Sequence, residues 1–137
     1  SLPPNSTANA SFLLQLRNLL VQDWDLDDDG KPETLRLLFA TPRRWLEVGK
    51  QIKVNRAPTQ FGDVSLVATS NLSRGEVTID LDLPKTAPAR TLLRLRLPEG
   101  WKIESAEAGD QQLKVDGETM DITACREKVS VTAKVGK

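Results

Sequence analysis

Histidine is absent from the 137 residues, and cysteine occurs once, as Cys125. Those two gaps exclude Ser-His-Asp triads, Cys-His dyads, histidine-ligated zinc and internal disulfides. Tyrosine is missing too, and with three tryptophans and three phenylalanines the aromatic share is 4%. A sugar-binding platform generally offers several exposed aromatic faces, so this composition makes a poor one. Net charge is also absent, because 19 Lys and Arg balance 19 Asp and Glu. Without excess positive charge there is no global field for a polyanion, which argues against nucleic acid or an anionic membrane as main partner. No apolar run approaches the ~18 residues of a bilayer-spanning helix. What remains is 39% hydrophobic and 28% charged, in a length that suits one domain of ~100–150 residues.

The pattern divides the chain unevenly. Residues 1–10 are small and polar with two prolines and read as a linker or disordered lead, without the basic start and apolar stretch of a signal peptide. Residues 11–137 read as a single domain. Phe12, Leu13, Leu16, Leu19 and Leu20 recur at helical spacing, with Gln15, Arg17 and Asn18 opposite. This predicts one amphipathic helix near Thr7–Val21, its apolar stripe expected to dock on the domain's edge or on a second copy.

After Val21 the period changes to two. Leu35, Leu37 and Phe39 alternate with polar residues, as do Ile52 and Val54, then Val64, Leu66 and Ala68. The clearest run is Val77, Ile79, Leu81 and Leu83, followed by Leu93, Leu95 and Leu97. Leu113 and Val115, Met120 and Ile122, and Val129 to Val135 complete the set. Turn signals such as Pro84-Lys85 and Asp116-Gly117 separate these runs. Apolar-in, polar-out alternation in about eight to ten short strands predicts an all-β fold, an antiparallel β-sandwich led by one helix. One pairing suggests itself. The acid-faced run Glu76–Leu83 and the arginine-faced run Arg90–Leu97 are expected to form a hairpin, with Asp80 near Arg94 and Thr78 near Arg96.

Charge balance fails in one place. Residues 23–33 hold six acids: Asp23, Asp25, Asp27, Asp28, Asp29 and Glu33. From Asp25 the order is D-x-D-x-D-G-x-x-E, in which Asp25, Asp27, Asp29 and Glu33 converge on a hard cation and Gly30 allows the turn. These four are the candidate metal ligands, and Ca2+ is the candidate ion. An EF-hand would need Glu at loop position twelve, which is Arg36, and two flanking helices. The flanks here, Leu20-Val21 and Thr34–Phe39, read as strands. The loop is instead similar to the nine-residue calcium loops in β-hairpins of integrin-type propeller repeats. The competing reading is an acidic, solvated hairpin tip.

Other chemistry is sparse. Trp45 and Trp101 read as packing residues, Trp101 capping the sandwich, while Trp24 inside the acidic stretch is the best candidate for an exposed aromatic. The acids lie on alternating strand faces or in the crowded loop, unlike a general acid and base flanking a scissile bond. Cys125 has no histidine to activate it. No catalytic residue is expected, and the residues single out no carbohydrate contact.

The order of motifs carries a resemblance. Phe12-Leu13-Leu14-Gln15-Leu16-Arg17-Asn18-Leu19-Leu20 leads to an acidic turn, then Leu37-Leu38-Phe39-Ala40-Thr41-Pro42, Trp45-Leu46 and Gly49-Lys50-Gln51-Ile52. Next come Ala57-Pro58-Thr59-Gln60-Phe61-Gly62-Asp63-Val64-Ser65 and the strands at Leu97-Pro98-Glu99-Gly100-Trp101 and Ile103-Glu104-Ser105-Ala106. Over about three-quarters of the chain this resembles the C-terminal β-sandwich accessory domain of bacterial (α/α) barrel glycoside hydrolases. The resemblance implies a non-catalytic domain stabilising or flanking a catalytic barrel upstream in the same polypeptide, with polysaccharide as a further partner and a periplasmic or extracellular location. The family's catalytic acids lie in the barrel and have no counterparts here, and Asp23–Asp29 is an addition to its pattern. The alternative is an independent carbohydrate-binding or calcium-dependent binding module.

Overall fold

The computed structural model describes residues 20–24 and 33–137. Among these, eleven strands alternate with two short 3-10 turns. One sheet has the order β1 (Val21–Trp24), β2 (Thr34–Leu37), β6 (Arg90–Arg94), β10 (Thr119–Asp121), β9 (Lys114–Asp116). The other runs β3 (Gln51–Thr59), β4 (Gly62–Asn71), β5 (Glu76–Asp82), β11 (Lys128–Gly136), β7 (Lys102–Ala108), β8 (Gln111–Gln112). Every pairing is antiparallel except β2 with β6.

The alternation in the sequence explains this architecture. In β4, Val64, Leu66, Ala68 and Ser70 are buried while the residues between them face outward. In β5, Val77, Ile79 and Leu81 do the same, and in β11 Val131, Ala133 and Val135. From the five-stranded sheet come Val21, Leu35, Leu37, Leu93 and Met120, all fully buried. Residues of both sheets form one continuous apolar cluster, and burial of this kind stabilises by roughly 1.5–3 kcal/mol per large side chain.

The expected hairpin between β5 and β6 does not form. β5 lies between β4 and β11, whereas β6 lies between β2 and β10 in the other sheet. Asp80 therefore stands opposite Val67 and Ser130, and Thr78 opposite Thr69 and Thr132. Arg94 pairs with Thr119, and Arg96 donates from Nη1 to the Thr41 carbonyl at 3.2 Å. The reason lies in the connection. Leu83 N–H donates to the Glu127 carbonyl at 2.9 Å, and Thr86 N–H to the Phe61 carbonyl at 3.3 Å. Pro84 and Pro88 stand in this connecting segment, and a proline cannot donate to a hairpin ladder. The segment crosses between sheets, and each strand finds charge partners among its own neighbours.

β1 and β2 do form a hairpin, with Trp24 opposite Thr34 and Val21 opposite Leu37. Both flanks of the acidic stretch carry strand, but over Val21–Trp24 and Thr34–Leu37, so Leu20 on one side and Leu38 and Phe39 on the other lie outside the sheet. The remainder of the expected helix and the expected linker lie outside the described residues. After β2 the chain leaves the sheet through Leu38, a fully buried residue at φ 62°. This left-handed conformation is costly for a branched side chain. It is fixed by the Leu38 N–H bond to the Leu20 carbonyl at 2.7 Å. The motif Leu37 to Leu46 is thus the crossover from one sheet to the other.

Candidate functional site

Two surface features at the sheet margins have the chemistry of contact sites. The first begins at the crossover. A 3-10 turn at Arg43–Leu46 buries Leu46, whose carbonyl accepts from Ser70 Oγ at 2.5 Å. Trp45, on the same turn, is half-buried against the core. Beside it a groove of about 370 Å³ is lined by Leu20, Trp45 and Ile52, with Lys50 and Lys53 at its rim. Val48, in the turn that follows, is 61% exposed, the large hydrophobic left outside among the described residues. The groove therefore sits where Leu20 leads into β1.

The second feature is a cleft of about 820 Å³ beside Trp101. Pro98-Glu99-Gly100 makes a tight turn, closed by the Trp101 N–H bond to the Pro98 carbonyl at 3.1 Å, with Gly100 at φ 90°. That turn sets Trp101 just ahead of β7, half-buried, with Ile103 and Val115 as further apolar lining. One wall is an ion pair. Glu118 accepts from Arg43 Nη1 at 2.6 Å and Nη2 at 3.1 Å, and from Leu97 N–H at 3.2 Å. Arg43 Nη1 also donates to the Leu97 carbonyl at 2.8 Å, and Arg94 stands 3.6 Å from Glu118. Burial works to raise the Glu118 carboxyl, but the Arg43 fork, the Leu97 N–H and the arginine charges outweigh it and hold it below the usual range.

Glu104 completes the cleft. The register between β7 and β11 shifts at Lys134/Val135, opposite this residue. The shift leaves its carboxylate over Gly136, where an added Cβ would stand 2.6 Å from Glu104 Oε2. Glu104 has no hydrogen bond or ion pair among the described residues and is exposed. Lys137 Nζ lies over the Trp101 ring, 5.6 Å from its centroid, a cation–π contact at the surface.

A third concavity, of about 670 Å³, lies on the six-stranded sheet among Lys53, Val67, Asp80, Lys128 and Ser130. Ser130 Oγ donates to Asp80, and Lys128 stands directly opposite Asp82. Cross-strand placement of opposite charges and hydroxyls of this kind is what a solvated sheet face shows.

Of the proposed metal ligands, Asp25, Asp27 and Asp29 lie outside the described residues. Glu33 immediately precedes β2, which pairs with β1. The Trp24 side chain likewise lies outside the described residues. Cys125 is half-buried, and burial pushes its thiol up, away from the reactive thiolate. Sequence reasoning did not find Arg43, Glu104 or Glu118. Arg43 and Glu118 are 75 residues apart, and Glu104 owes its position to an irregular strand register.

Comparison with family models, with curated proteins and with solved structures returns no match in any of the three.

Proposed function

We propose that this chain is a non-catalytic β-sandwich domain of a larger carbohydrate-active enzyme, a glycoside hydrolase, which it stabilises or flanks. The two sheets are read as the two layers of the sandwich, preceded by the amphipathic helix of Thr7–Val21. The observation that carries the reading is the groove lined by Leu20, Trp45 and Ile52, with Val48 exposed in the chain segment between Trp45 and Ile52. It lies where the chain arrives from its N-terminal side, within reach of a domain preceding it. The motif resemblance supplies the identity of that neighbour, and with it a periplasmic or extracellular location. Burying the exposed part of Val48 alone would contribute about 1–2 kcal/mol to such an interface.

The test is Val48→Asp made in two contexts. In the chain alone, a surface change of this kind moves stability by no more than about 0.5 kcal/mol. Joined to its upstream catalytic domain, the same variant should melt several degrees below the parent. Equal melting temperatures in the longer protein would sink the proposal.

The Trp101 cleft favours a second reading, an independent binding module for carbohydrate. Within either reading Asp25, Asp27, Asp29 and Glu33 are proposed to hold Ca2+ at the hairpin end, in a structural rather than catalytic role.

A further inference from the structure

We infer that the Trp101 cleft binds an uncharged saccharide, with the indole face as its stacking surface and Glu104 as its hydroxyl acceptor. The inference rests on the carbohydrate reading above and names the site and ligand class. Three features of the cleft select the ligand. The first is the balance of apolar and polar lining. A pyranose ring offers a face of C–H groups and an edge of hydroxyls, and it needs an aromatic surface beside acceptors. Trp101, Ile103 and Val115 supply the surface, and Glu104 and Glu118 stand along the same cleft.

The second feature is spare acceptor capacity. Glu118 is engaged by Arg43 and Leu97, so its role is to hold the wall rigid. Glu104 has both carboxylate oxygens uncommitted among the described residues, and a carboxylate accepts about four hydrogen bonds. A sugar's adjacent hydroxyls match a bidentate acceptor of that kind, as charge-assisted hydrogen bonds. Its position is built into the strand: the register shift and Gly136 together make room for the carboxylate.

The third feature is charge. Among the lining residues three acids, Glu99, Glu104 and Glu118, outnumber the two bases Arg43 and Lys102, and Arg43 is already paired with Glu118. The cleft thus presents no net field for an anion such as a uronate or a phosphosugar. Lys137 touches the ring by a cation–π contact worth about 0.5–1 kcal/mol at an exposed site, little enough for a stacking sugar to displace.

The experiment is a glycan array of neutral and acidic oligosaccharides, probed with the full chain and with Glu104→Gln and Trp101→Ala, followed by titration calorimetry on any glycan retained. We expect a neutral glycan to bind, with affinity falling roughly three- to tenfold in E104Q and at least about tenfold in W101A. Circular dichroism checks folding, and if W101A unfolds, E104Q decides alone because its side chain is exposed. A glycan bound equally by parent and E104Q overturns the site while leaving the carbohydrate reading standing at another surface. Preference for acidic glycans overturns the ligand class. An array with no retained glycan overturns the inference outright, and the accessory-domain reading is then judged by Val48→Asp alone.

Discussion

Replacing Glu118 should reveal how the crossover turn is held to the five-stranded sheet at the Trp101 end. Its carboxylate joins the crossover turn, through Arg43, to the end of the β6 segment, through Leu97 N–H. The Arg43 side chain is 42% exposed and that of Glu118 20%, so solvent screening limits the fork itself to about 1 kcal/mol. Glu118→Ala also leaves the Leu97 N–H without a partner, which costs roughly 1–2 kcal/mol more. The sum is about 2–3 kcal/mol, or a fall of roughly 6–15 °C in Tm for a domain of this size. Glu118→Gln keeps an oxygen for Leu97 and should lose only about 1 kcal/mol. The pH dependence adds a check on mechanism. A carboxyl held below its unfolded value stabilises the fold above that value, and the contribution is lost as pH falls through the folded value. Urea denaturation at neutral pH should therefore separate parent and E118Q, and the gap should close in acid as the Glu118 carboxylate is protonated. Equal midpoints at neutral pH, or a gap that widens in acid, would refute the reasoning.

Four further outcomes can be measured on the same chain. Glu127 is exposed at φ 57°, so Glu127→Asn should raise stability by roughly 0.5–1 kcal/mol in urea melts. Leu38 is also left-handed but fully buried; the cavity outweighs the relieved strain, and Leu38→Gly should destabilise by at least about 2 kcal/mol. Thr34 Oγ1 is buried without a partner among the described residues, so Thr34→Val should stabilise by about 1 kcal/mol, seen as a higher Tm. If the acidic stretch holds Ca2+, millimolar calcium should raise Tm by mass action, and the rise should vanish in the double variant Asp27→Asn, Asp29→Asn.

The strands were legible because one face of each is buried. Val77, Ile79 and Leu81 alternate with Thr78 and Asp80, and the period of two is visible without knowing the partner strand. Partner choice was not legible in the same way. Acid-faced β5 and arginine-faced β6 attract in either arrangement, but a surface pair contributes only about 0.2–1 kcal/mol. The shared core is worth far more, and it places the two strands in different sheets. Charge complementarity read along a sequence is too weak to override packing. The β1–β2 pairing was legible because apolar residues flank the acidic stretch on both sides. Glu104 and Glu118 were not, since their roles depend on a register shift and on a contact across 75 residues.

The supporting-domain account meets its most direct test in hydrogen exchange. Residues 45–52, which carry Trp45, Val48 and Ile52, should be compared in the chain alone and in the chain joined to the catalytic domain proposed to precede it. The account predicts slower exchange for this segment in the longer protein, with the outer residues of β4 and β5 unchanged. Identical exchange of residues 45–52 in both would contradict it.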